Sequence, residues 1–121
     1  MQYYLTLKPE IPKVYFESSE FPNASDQLVA IAKQLGLANH FKFFSFAAQS
    51  DLCPPEHRQK EVPWFDAQIG IDWLNAMSKH IRSDPASVPD AESLLSDFAQ
   101  CSEVLRRAKD VGSKWHLAMD I

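Results

Sequence analysis

DAESLLSDFAQCSEVLRRAKDVGSKWHLAMDI, residues 90–121, is the stretch whose reading decides the fold. Leu94, Phe98, Cys101, Leu105 and Ala108 recur at three- and four-residue spacing. That spacing gathers them on one stripe of a helix, with Leu95, Val104 and Val111 at its edges. Asp90 follows Pro89 and is placed to accept from the free N–H groups of the first turn, where Glu92 adds favourable negative charge. Arg106, Arg107 and Lys109 bring cations toward the other end, and Gly112 supplies the left-handed residue that closes a helix. Then the period changes. Trp115, Leu117 and Met119 alternate with Lys114, His116 and Asp120, as in a strand with one buried face. A long amphipathic helix running into a strand requires a sheet, and the rest of the chain must supply it.

Residues 2–7 are the first candidate: Tyr3, Leu5 and Leu7 point one way and Gln2, Tyr4, Thr6 and Lys8 the other. Pro9 and Pro12 interrupt any longer ladder, and residues 14–17 read as a second short strand. A loop over 18–23 leads to a helix over 24–35, opened by Asn23 or Ser25 and closed by Gly36. Its expected buried stripe is Ala24, Leu28, Ile31, Ala32 and Leu35. Residues 40–46 carry Phe41, Phe43, Phe44 and Phe46, and the slip in their alternation predicts a bulge or bend that packs rather than cages a ligand. Residues 49–61 are polar, contain Pro54-Pro55, and read as a long mobile loop suited to touching a partner.

A second helix spans 66–82, capped by Asp66, with Ala67, Gly70, Leu74, Met77 and Ile81 on its buried stripe. Gly70 would admit a neighbouring element at close range. A second apolar track, Ile69, Trp73 and Ala76 with His80 at its end, lies well round from the first. Either the sheet covers that track or another protein does. The two prolines of 83–89 make a link short enough to set the second and third helices antiparallel. The expected fold is α+β, a small sheet including the N- and C-terminal strands packed against three helices, in one domain over 1–121. An all-α bundle with marginal strands is the alternative.

Composition narrows the function classes. The chain has 121 residues, 45% hydrophobic and 23% charged, which suffices for a core without metal or disulfide. A formal net charge of −4, with no cluster of Lys and Arg, argues against binding to a nucleic-acid backbone. No apolar run reaches membrane-spanning length, and residues 1–7 lack the basic and apolar regions of a signal peptide. The expected setting is a cytosol, with Cys53 and Cys101 as reduced thiols.

From Trp64 onward the order of elements resembles small bacterial proteins of unassigned function. A tryptophan precedes a helix with an early glycine, an amphipathic helix ends in alanine and glycine, and an aromatic-His-Leu strand closes the chain. Trp64, Gly70, Leu74, Leu105, Ala108, Gly112, Trp115, His116 and Leu117 carry the likeness. It implies a compact accessory protein and assigns no activity or site residue.

Reactive side chains form no recognised constellation. His40, His57, His80 and His116 make no His-x-x-x-His pair, and neither cysteine belongs to a Cys-x-x-Cys motif. His57 reads as a surface residue, and Cys101 as a small hydrophobe on its helix stripe. Asp97 borders Cys101, Val104 and Ala108, so its carboxylate needs a hydrogen-bonding partner. Gly36, Gly70 and Gly112 are too far apart for a phosphate loop, and no Gly-x-Ser-x-Gly elbow is present. No catalytic, cofactor-binding or metal residue is assigned. The function expected is therefore non-catalytic: binding to another protein or to a second copy, of immunity or antitoxin type, with Ile69, Trp73, Ala76 and His80 as the candidate surface. The alternative is a small enzyme whose site is built around His116, Asp97 and His80.

Overall fold

The computed structural model describes residues 1–44 and 63–120. The expected loop over 49–61, with Cys53 and His57, and the ring of Phe46 lie outside the described residues. Four strands, β1 (Gln2–Lys8), β2 (Glu17–Ser18), β3 (Phe65–Asp66) and β4 (Lys114–Asp120), form an antiparallel sheet in the order β2-β1-β4-β3. β1 and β4 pair along their whole length, from Gln2 opposite Asp120 to Lys8 opposite Lys114. The two terminal strands are thus direct neighbours at the centre of the sheet. Tyr3, Leu5, Leu7, Trp115 and Leu117 are buried on the inner face, as period-two alternation requires.

Among the described residues the α-helices are a single turn, α1 (Glu20–Asn23), and three longer ones: α2 (Ser25–Gln34), α3 (Ala67–Ser83) and α4 (Ala91–Val111). Together with the sheet they make an α+β fold around one continuous core. Leu94, Phe98, Cys101, Leu105 and Ala108 are each at most 2% exposed, so the long stripe of α4 is the core face. Asp90 caps α4 by accepting from Ser93 N at 3.2 Å. α3 and α4 run antiparallel: Gln68 meets Lys109, Gly70 meets Leu105, and Trp73 meets Phe98. At Gly70 the indole of Trp115 crosses so closely that a methyl group would have no room. That indole is fixed by its Nε1, which donates to the carbonyl of Asp66 at 2.9 Å. Among the described residues no helix is long and apolar enough to cross a membrane.

Several local expectations shift. The second strand forms at Glu17–Ser18 rather than over 14–17, although Leu5 N also donates to Phe16 O at 3.1 Å. The expected loop over 18–23 contains the turn α1, because Ser18 Oγ accepts from Phe21 N at 3.0 Å and the Phe21 ring is fully buried. Ser25 is the first residue of α2 and does not cap it; its hydroxyl is used elsewhere. Asp66 stands at the cap position of α3, but its carboxylate pairs with Lys114 instead of closing the first turn. The aromatic stretch bends into a 3-10 turn over His40–Phe43, after which Phe44 bridges to Leu117. Phe43 and Phe44 are buried, which makes them packing residues. Leu35, assigned to the buried stripe of α2, is 40% exposed.

Candidate functional site

The exposure of Leu35 follows from how α2 ends. Gly36 takes φ +71°, Leu37 N donates to Ala32 O at 2.8 Å and Gly36 N to Lys33 O at 3.2 Å. This paired closure reverses the chain and lays Leu37 back toward the helix end. Trp73 then ties the returning strand of chain to α3, donating from Nε1 to Ala38 O at 2.8 Å. A groove of about 420 Å³ results, lined by Leu35 and Leu37 on one side and by Ala76, Lys79, His80 and Ser83 of α3 on the other. Its wall is mainly apolar. Lys33 in the last turn of α2, and His80 and Arg82 in the last turn of α3, place cationic or protonatable groups at this same end of the molecule.

Of the four residues nominated as a partner surface, Ala76 and His80 line this groove and are half-buried. Ile69 is 43% exposed, two turns earlier on the same face of α3. Trp73 is not a surface residue: it is 7% exposed, and the chain itself covers it. Its ring stacks on Phe21 at 6.2 Å and meets Phe43 at 5.8 Å, His40 at 6.3 Å and Phe98 at 6.1 Å. The cover comes from α1, from the segment 38–43 and from Phe98 of α4, and Trp115 and Leu117 of β4 line one small cavity together with Trp73. A helix-wheel argument offers only a sheet or a partner as cover and misses a non-helical segment.

The alternative catalytic trio does not converge. His116 lies on the outer face of the sheet, beneath Trp64 at a ring separation of 4.2 Å, with Nδ1 3.2 Å from the carbonyl of Pro63. It is 7% exposed rather than solvated, and burial lowers its pKa, partly countered by the Pro63 contact. Asp97 accepts from Ser18 Oγ at 2.5 Å, tying α4 to β2. This is the structural bond its position required, with a strand serine as partner. His80 stands apart at the α2–α3 groove. Cys101 is fully enclosed, and burial pushes its thiol far up from the usual range, which removes the nucleophilic thiolate. An open polar depression between β2 and α4 is bordered by Glu17, Glu20, Glu92 and Asp97. Among the described residues no group of three or more His, Cys, Asp and Glu side chains is arranged to hold a metal ion.

One buried polar cluster escaped the sequence reading. Tyr3 OH donates to Ser25 Oγ at 3.3 Å, and Ser25 Oγ lies 2.8 Å from His40 Nε2. His40 is completely buried, its pKa pushed down to about 4 by desolvation. The available signal was a lone histidine opening a phenylalanine-rich run, which local periodicity does not assign to a face. No family model, curated protein or solved structure matches the chain.

Proposed function

We propose that the chain is a non-catalytic binding protein that takes another protein in the groove between α2 and α3. The accessory role is of immunity or antitoxin kind, in a bacterial cytosol. The observation that carries this reading is the groove itself: Leu35 is held at 40% exposure beside Leu37 and Ala76, with Lys79 and His80 at the rim. An aliphatic side chain left in water on a closed helix end gains by being covered. The charge of Lys79 at the rim suits a partner that presents an apolar side chain beside a carboxylate.

The test compares the parent with a Leu35→Glu, Ala76→Glu double variant as capture baits in native cells. The parent is expected to retain one protein in stoichiometric amount, and the variant to lose it at least roughly tenfold at an unchanged denaturation midpoint. Equal retention by both baits would move the interface elsewhere. A parent that elutes alone and monomeric would remove the binding reading.

A further inference from the structure

We propose that the outer face of the sheet carries a site for a small quaternary ammonium cation of choline type, walled by Tyr4, Tyr15 and Glu17. The inference is independent of the groove between α2 and α3, which lies across the core from this face. Alternation along β1 sets Tyr4 on the outer face, and the register places Glu17 directly opposite it. Tyr15, two residues before Glu17, comes out on the same face as a diagonal neighbour of Tyr4. Its backbone is bracketed: Val14 N donates to Ile11 O at 3.2 Å, and Phe16 O accepts from Leu5 N at 3.1 Å. A groove of about 350 Å³ lies among these side chains, with Leu5, Phe16 and Met119 as its other lining residues. Those three pack their side chains into the core, so they lend the groove a floor of peptide backbone.

The walls set the class of ligand. Tyr15 is 78% exposed and Tyr4 is also open to solvent. Among the described residues neither ring packs on another ring and neither hydroxyl is hydrogen-bonded. Such phenols present the negative faces of their π systems, which attract a cation. Glu17 supplies the only formal charge among the lining residues and takes part in no described ion pair. The cations nearest along the chain do not line the groove: Lys8 is drawn over the Trp64 ring at 5.5 Å, and Lys13 stands outside. The choice among cations rests on acceptors. The floor is already engaged, because Leu5 N is bonded to Phe16 O and β1 is paired along its length with β4. A guanidinium or a primary ammonium brings several N–H donors and would find one carboxylate. A quaternary ammonium brings none, and its charge is spread over methyl groups that lie against ring faces. The volume is at the low end for small-molecule sites, which fits a free cation of few heavy atoms.

Proton NMR tests this by titrating the full chain into choline, and into its uncharged analogue with carbon in place of nitrogen. The choline methyl resonance should move upfield, as protons over a ring face do, and saturate. The carbon analogue should bind at least roughly threefold more weakly. Tyr15→Leu and Glu17→Gln, both at exposed positions, should each weaken choline by about three- to tenfold at the parent's urea midpoint. No saturable shift, equal binding of the carbon analogue, or an unchanged affinity in either variant would overturn the proposal. Tighter binding of methylguanidinium would overturn the assignment to a quaternary cation, and tighter binding of a trimethyllysine peptide the assignment to a free one. Should a variant lose its fold, the comparison of choline with its carbon analogue on the parent decides.

Discussion

Gly70 shows how much one absent side chain can specify. A Cβ at this position would stand 2.8 Å from Leu105 Cδ1 and 2.9 Å from Trp115 Cε2. Helix propensity favours alanine over glycine by up to about 1 kcal/mol, but overpacking a filled core costs about 1–3 kcal/mol. The indole is rigid and its Nε1 is engaged by Asp66 O, so it cannot swing aside cheaply. Gly70→Ala is therefore expected to destabilise by about 1–2 kcal/mol, read as a lower urea midpoint at constant slope. His40 gives a second residue-scale expectation, in the stability of the whole chain. Its pKa is about 4 when folded against 6.5 for the free side chain, so the unfolded chain binds the proton more readily. Stability from this group is complete above pH 6.5 and falls as the pH drops from there toward 4, by up to about 3 kcal/mol. His116, whose pKa is also lowered, acts in the same direction. Urea midpoints should hold between pH 7.5 and about 6.5 and fall from there to pH 4.5, and His40→Gln should flatten most of that slope.

The elements divide into those that periodicity writes out and those that it cannot. α4 was legible because twenty-one residues repeat one stripe, and because Asp90 and Gly112 mark its ends chemically. Leu105 is at the centre of that stripe with no exposure, so Leu105→Ala should cost about 2–5 kcal/mol by chemical denaturation. A midpoint equal to the parent's would mean that the stripe is not the core face. β1 was equally plain, seven residues of alternation, and β4 nearly so, with Ala118 and the buried His116 blurring its outer face. α1 was not, because four residues carry no period; it exists by virtue of Ser18 Oγ and the buried Phe21 ring, neither visible as a pattern. The candidate surface was half legible for a related reason. A helix projection separates Ile69, Trp73, Ala76 and His80 from the main stripe correctly. It does not say that residues 38–43 return across Trp73, and so it overstates what is open by the largest side chain of the set.

At the scale of the molecule, the pairing of β1 with β4 sets the order in which structure can form. The central ladder joins segments at opposite ends of the chain, and even the contact of Ser113 Oγ with Pro9 O spans 104 positions. Helices α2, α3 and α4 have local bonds to hold them, but among the described residues β1 has only β2 and the Phe16 carbonyl as backbone partners until β4 arrives. Closing so long a loop must precede most of the reward for it, which slows folding relative to a chain of local contacts. On the ribosome, β1 is made about a hundred residues before β4 and must wait, with its β4-facing edge unpaired, until that strand leaves the exit tunnel. A nascent chain of this design carries an open sheet edge from the making of β1 until β4 emerges, and the sheet closes when the fourth strand takes its place beside the first at the centre.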